Sequence, residues 1–227
     1  MRYRAVLIDI DDTLFDFRQS SFEALIKTFA AMGLPFTWDD MPVYEQFNNR
    51  MWQAFERGEI EKKEIYVTRF RDYFDFVGLD ADPVFANDFY LKRLGEGKAF
   101  MPNAEALLRA LHGTYKVFVV TNGDTVTQLK RIETSGFSPY FDGVFISEQM
   151  GTKKPEKAFF DQVFAEIGEE YRDCCLLVGD SLSSDMQGGR NAGIPTCFYG
   201  KKEAADERCD FVISDLLELL PLLEGAE

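Results

Sequence analysis

The segment Ala5-Val6-Leu7-Ile8-Asp9-Ile10-Asp11-Asp12-Thr13-Leu14 constrains the fold more than any other part of this chain. An apolar run stops abruptly in carboxylates spaced two apart. Such a run reads as a buried strand of a parallel sheet, with a polar residue at its C-terminal end. In open α/β sheets, ligands bind beyond the carboxyl ends of the strands. Residues two apart on a strand point to the same side, so Asp9 and Asp11 reach one small site if the extended geometry persists. Two carboxylates there repel, and a fold tolerates them only if a cation, a proton or a function compensates.

Strand-like apolar segments recur at 115–121, 143–146, 174–178 and 195–199, with a short sixth at 211–213. Helical patterns separate them, at about 103–111, 125–135, 155–167, 184–192 and 215–223. Alternation of this kind predicts an α/β fold, a Rossmann-like, doubly wound parallel sheet with helices on both faces. Residues 17–100 break the pattern. Aromatic and apolar residues recur there at helical spacing, as in Phe22, Leu25, Ile26 and Phe29, and again in Tyr66, Phe70, Tyr73 and Phe74. The expectation is an inserted all-α cap of four or five helices over 17–100, and an α/β core over 1–16 and 101–227. An insert that leaves just after the Asp9 strand would sit over the carboxyl end of the sheet, where a lid can exclude water and select substrates.

The chain has 227 residues and a formal charge of −14, and 46% of it is hydrophobic, which allows a sizeable core. So acidic a balance argues against a nucleic-acid polymer and against anionic membranes as partners. A negative protein handling a negative substrate needs a local positive device. Cys174, Cys175, Cys197 and Cys209 form no CxxC pair, and Cys174 and Cys175, in an apolar strand-like run, read as reduced core residues. No apolar run approaches the roughly 20 residues that span a bilayer. The charged first residues lead straight into a strand and leave no room for a signal peptide. These features predict a soluble, cytoplasmic protein, as a monomer or homodimer.

The other strand ends carry equally pointed chemistry. Residues 117–120 run into Thr121-Asn122-Gly123, where a hydroxyl and fresh backbone N–H groups before a helix suit a phosphate oxygen. Lys154 precedes Pro155, which fits a first helical turn. Residues 176–178 run into Gly179-Asp180, with Asp185 five residues on. In a doubly wound sheet these loops share one rim. Four acids, Asp9, Asp11, Asp180 and Asp185, then need a divalent cation, and hard oxygen ligands favour Mg²⁺ over Zn²⁺. His112, the only histidine, reads as a helix-terminus residue.

Asp9-Ile10-Asp11-Asp12-Thr13, Thr121-Asn122-Gly123, Lys154-Pro155 and Gly179-Asp180 with Asp185 together resemble the four ordered motifs of the haloacid dehalogenase-like (HAD) phosphohydrolases. The helical insert looks like the cap of the subclass with an α-helical lid. Within it, residues 9–17, the Asn48…Trp52…Gly58 stretch, residues 119–123 and residues 141–151 are similar to bacterial pyrimidine-type nucleoside 5′-monophosphatases. The resemblance implies that Asp9 is the nucleophile, forming an aspartyl-phosphate, and that Asp11 is general acid and then base. That role needs a raised pKa, and neighbouring carboxylates and a lid push that way. It implies Mg²⁺, with Mn²⁺ able to substitute, on Asp9, the Asp11 backbone carbonyl and Asp180, and Asp185 behind them. Thr121, Asn122 and Lys154 would hold the phosphate. Asn48 and Trp52 of the cap would set specificity; the aromatic residues of the insert, Trp38 and Trp52 included, read mostly as core packing, with Trp52 stacking on a base as the alternative. The implied partner is a small phosphorylated metabolite, a nucleoside monophosphate foremost.

Each motif also has a plainer reading. Asp9 and Asp11 can be solvated acids at a strand end, with Asp12-Thr13 as a helix cap, and Asp180 or Asp185 can cap the following helix. Thr121 can be a turn hydroxyl and Lys154 a surface lysine. Gly188-Gly189 follows a helix instead of a strand, so it reads as close packing, with the helix ending at Gly193. Rival activities are a phosphatase of sugar phosphates or other small phosphoesters, and a non-catalytic metal- or nucleotide-binding regulator. A dehalogenase is disfavoured by Asp11 and Lys154-Pro155, which suit phosphate chemistry with a metal.

Overall fold

The computed structural model describes residues 3–225. The chain forms β1 (Ala5–Ile8), then α1 (Phe17–Ala31), α2 (Met41–Glu56), α3 (Lys62–Val77) and α4 (Pro83–Gly95). It continues through α5 (Ala104–Leu111), β2 (Lys116–Thr121), α6 (Thr125–Ser135), β3 (Gly143–Ile146), α7 (Ser147–Met150) and α8 (Lys157–Ile167). Then follow β4 (Cys175–Gly179), α9 (Gln187–Ala192), β5 (Thr196–Tyr199), β6 (Phe211–Ile213) and α10 (Leu219–Glu224). The six strands form one parallel sheet in the order β3-β2-β1-β4-β5-β6.

Two compact units are present. One holds the residues up to Phe17 and from Lys98 onward, the other Arg18–Gly97. Residues 98–100 group with the sheet because two stretches knit there. Asp16 N–H donates to Ala99 O at 3.1 Å, Met101 N–H to Leu14 O at 3.0 Å, and the Phe15 and Phe100 rings pack 5.3 Å apart.

The sheet is buried on both faces, as the near-continuous apolar strands require. Alternate residues of β1 go to opposite cores. Val6 and Ile8 join Leu107, Leu108 and Leu111 of α5 and Leu219 and Leu223 of α10. Ala5 and Leu7 join Phe159, Phe160, Val163 and Phe164 of α8. Each of these side chains larger than alanine contributes about 1.5–3 kcal/mol on burial. On that second face α9 comes close. A Cβ at Gly188 would lie 2.7 Å from the Phe160 ring, and one at Gly189 2.3 Å from the Thr196 methyl. The paired glycines are therefore packing residues, and Gly193 ends α9 in the left-handed region at φ 70°.

The helical unit has an aromatic core of Phe29, Phe36, Tyr44, Phe70, Tyr73, Phe74 and Tyr90. Asp82 caps α4 ahead of Pro83, and Gly78 closes α3 at φ 72°. Arg69 lies inside this core, only 2% exposed. It donates to Asn48 Oδ1 and Asn87 Oδ1 at 3.1 Å each and stacks over Tyr90.

Three expectations shift locally. Pro155 is not in the first helical turn: α8 begins at Lys157, and the Lys154–Pro155 bond is cis. The Asn122 side chain grips the Lys154 backbone from the end of β2, which holds this stretch apart from the helix. The helix expected over 184–192 opens as one π-helical turn, Leu182–Met186, before α9. The strand expected over 174–178 runs Cys175–Gly179. No helix among the described residues is long and apolar enough to cross a membrane.

Candidate active site

Strand order reverses between β1 and β4, the point where an open α/β sheet leaves a crevice at its carboxyl edge. β1 delivers Asp9 there and β4 delivers Asp180. Asp9 N–H donates to Val178 O at 2.9 Å, which extends the ladder one residue past the strand and fixes the Asp9 backbone. Asp9, Lys154 and Asp185 are all buried. Lys154 Nζ donates to Asp9 Oδ1 at 2.5 Å and to Asp185 Oδ1 at 2.6 Å. Lys154 is thus a core residue, not a surface lysine.

The loop after β4 is shaped around Asp185. Its Oδ2 accepts from Ser181 N–H at 3.1 Å. A Cβ at Gly179 would lie 2.2 Å from that same Oδ2, so only glycine leaves room for the inward carboxylate. The capping expected of Asp180 or Asp185 falls instead to Ser181, whose hydroxyl accepts from Ser184 N–H at 3.1 Å. Thr13 Oγ1 donates to Asp180 Oδ1 at 3.4 Å. Asp12 sits at φ 55° and accepts from Phe17 N–H at 3.0 Å, at the start of α1.

A carboxylate oxygen from each of Asp9, Asp180 and Asp185 lies within 4.8 Å of the other two. Three acids face one ammonium there. Burial pushes the Asp9 carboxyl up to about 8, helped by the charges of Asp185 and Asp11 and opposed by Lys154. Burial likewise raises Asp180 well above the usual range, with Asp9, Asp185 and Asp12 adding to it. Burial alone would lower the Lys154 ammonium, but Asp185 and Asp9 more than offset this and the net shift is upward. Lysine therefore stays charged, and Asp9 and Asp180 relieve the remaining surplus of negative charge by holding their protons more tightly. Hard oxygens, converging and short of positive charge, fit a divalent cation of the Mg²⁺ type.

This has a consequence for stability. An unfolded aspartate titrates near 3.9. Between that value and about 8 the folded chain keeps a proton on Asp9 that the unfolded chain has lost, so stability falls as pH rises through this window. In EDTA the melting temperature is expected to fall between about pH 5 and pH 8, and Mg²⁺ should raise it most at the alkaline end. Calorimetry at both pH values checks this; an equal Mg²⁺ gain at each would contradict it.

Thr121 and Asn122 sit where expected, but their contacts sharpen their parts. Thr121 Oγ1 accepts from Gly123 N–H at 3.0 Å and from Gln128 Nε2 at 3.1 Å. A hydroxyl accepting twice still has one hydrogen to give. The Asn122 carboxamide, expected at the phosphate, clasps Lys154: Oδ1 accepts from Lys154 N–H at 3.0 Å and Nδ2 donates to Lys154 O at 2.9 Å. It orients the lysine. Asp11 turns to α6, where Oδ1 accepts from Arg131 Nη1 and Oδ2 from Gln128 Nε2 at 2.7 Å.

Asn48 and Trp52 have partners within the helical unit. Asn48 is buried and accepts from Arg69; Trp52 is half-buried beside Phe55 in a small apolar cluster with Met51 and Ile65. His112 caps the end of α5 and stacks edge-on against Tyr140.

The profile of haloacid dehalogenase-like hydrolases matches residues 3–193. The chain belongs to the haloacid dehalogenase-like hydrolase family. Within this family it is 32% identical over 226 residues to pyrimidine 5′-nucleotidase YjjG of Escherichia coli (strain K12), covering 98% of this chain and 99% of that protein. It is 35% identical over 200 residues to pyrimidine 5′-nucleotidase PynA of Streptococcus pneumoniae (strain ATCC BAA-255 / R6), covering 88% and 84%. A crystal structure of the HAD-hydrolase YfnB from Bacillus subtilis, described as bound to magnesium, superposes with a TM-score of 0.92 at 34% identity, over 99% of this chain and all of that one.

Gln128 and Arg131 escaped the sequence reading, as did Ser181. The available signal was the inverted face of α6, where Gln128 and Arg131 are buried while Val126 and Leu129 are exposed.

Proposed function

We propose that this HAD-like hydrolase is a Mg²⁺-dependent phosphomonoesterase that acts on nucleoside 5′-monophosphates through an aspartyl-phosphate on Asp9. The observation that carries this reading is the buried Asp9–Lys154–Asp185 array with Asp180 beside it, at the reversal point of the sheet. The two relatives named as pyrimidine 5′-nucleotidases support the substrate class.

Asp9, Asp180 and the Asp11 backbone carbonyl would hold Mg²⁺, with Asp185 behind them keeping Lys154 in place. When bound, the ion neutralises charge on the phosphoryl group and on the acids. An ionised Asp9 oxygen attacks phosphorus while the P–O bond to the alcohol breaks. Asp11 gives its proton to the departing oxygen. Lys154 Nζ and the Thr121 hydroxyl hold the phosphoryl oxygens, where charge accumulates. In the second step Asp11 takes a proton from water, the water oxygen attacks phosphorus, and Asp9 leaves as carboxylate. For base preference the proposal extends to the half-buried Trp52 ring.

A phosphate-release screen over nucleoside 5′-monophosphates, sugar phosphates and small phosphoesters tests this reading. The expected result is the highest kcat/KM on a nucleoside 5′-monophosphate, silence in EDTA and recovery on adding Mg²⁺. A clear preference for sugar phosphates would replace the nucleotidase reading, and turnover that ignores chelation would overturn the metal.

A further inference from the structure

We propose that Arg131, working with Gln128, is a positioning residue that holds the Asp11 carboxyl in the orientation needed for proton delivery to the leaving group. This rests on the phosphatase reading above and adds to it two buried residues of α6 that contact Asp11.

Arg131 is 1% exposed, and its Nη1 donates to Asp11 Oδ1 and to Gln128 Oε1, the latter at 3.1 Å. Its Nε and Nη2 have no hydrogen-bond partner, and its guanidinium lies 4.7 Å over the Phe15 ring. A buried guanidinium is costly unless a partner meets it, and Asp11 is the acidic side chain it meets. Gln128 is equally buried. Its Nε2 spans Asp11 Oδ2 at 2.7 Å and Thr121 Oγ1 at 3.1 Å, which ties the acid to the hydroxyl assigned to the phosphate.

The loop after β2 makes room for this arrangement. A Cβ at Gly123 would lie 2.2 Å from Gln128 Nε2, so the glycine clears the space in which Gln128 turns to Asp11. Both Asp11 oxygens are thereby fixed by donors on one rigid helix. A protonated oxygen keeps a lone pair, so the Gln128 contact survives when Oδ2 carries the proton. A carboxyl fixed at two points loses little time in unproductive rotamers, and small misplacements of an acid cost rate steeply.

A purely structural Arg131 would affect all substrates alike; a positioning Arg131 would not. The test is single-turnover release of the alcohol, with saturating Mg²⁺, from p-nitrophenyl phosphate and from a nucleoside 5′-monophosphate. Nitrophenolate leaves without a proton, whereas the 5′-alkoxide needs one. Arg131→Met is expected to slow release of the nucleoside by about 10–100-fold, with a several-fold smaller loss on the nitrophenyl ester and little change in KM. Arg131→Lys should recover part of the nucleoside rate, and Asp11→Asn should show the same split more strongly. Where Arg131→Met fails to fold, Gln128→Met carries the comparison, with the same sign of split. Equal losses on both esters, or none, overturn the positioning role while leaving the phosphatase reading intact. A wild-type protein that hydrolyses neither ester overturns the phosphatase reading and this inference together.

Discussion

Replacing Asp9 with asparagine should lower kcat by about 10⁴-fold or more, because an amide cannot supply the oxygen that attacks phosphorus. The fold should survive. Asp9 follows β1 with its backbone held by Val178, and an asparagine Oδ1 can still accept from Lys154. Burial and the neighbouring acids disfavour the ionised Asp9 carboxylate, so in EDTA at about pH 8 the variant should be at least as stable as the wild type. Loss of turnover without loss of stability separates a nucleophile from a structural acid. Residual turnover within about tenfold of the wild type would remove Asp9 from the chemistry.

Lys154→Met should damage both rate and stability. Lys154 is fully enclosed and is shared by Asp9 and Asp185. Methionine keeps the volume and removes the charge. Breaking a buried ion pair from one side typically costs about 3–5 kcal/mol, since the partners stay behind uncompensated. Wild-type Asp9 already holds its proton below about 8, and without Lys154 it would hold it to still higher pH, so the deficit should stay level between about pH 5 and pH 8 and widen above pH 8, where only the wild-type carboxyl ionises. Losing one fixed charge aimed at the phosphoryl group should cost about 10²–10³-fold in kcat. Urea midpoints at about pH 7 and pH 9, read beside turnover, check both parts. An unchanged midpoint would mean that Lys154 is not the cation of this cluster.

The strand ends were legible in the sequence because they obey a local rule. An apolar run buried on both faces must stop where its backbone meets a polar edge, and Asp9, Thr121 and Asp180 mark those stops. The alternation of segments then brings the ends to one side without knowledge of any contact. What stayed hidden depends on partners far apart in the chain. Asn122 looks like a phosphate donor beside Thr121, yet Lys154, 32 residues on, takes both ends of its carboxamide. Asp11 looked free to approach Asp9, but Arg131, 120 residues away, draws it to α6. α6 is hard to read because its buried side carries Gln128 and Arg131 while Val126 faces solvent, the reverse of an ordinary amphipathic helix. Asn48 shows the same limit: its oxygen meets Arg69, a residue on the next helix. Ser181 carries the cap although Asp180 and Asp185 flank it, because Asp185 turns inward to Lys154.

Covalent transfer of the phosphoryl group to Asp9 can be caught by rapid quenching. Wild-type protein with Mg²⁺ and a ³²P-labelled nucleoside 5′-monophosphate is quenched in acid within milliseconds and digested, and the labelled peptide is sequenced. The expected label is an acyl phosphate on the peptide containing Asp9, absent from Asp9→Asn. Turnover with no label at any quench time, or with label on another residue, would contradict it.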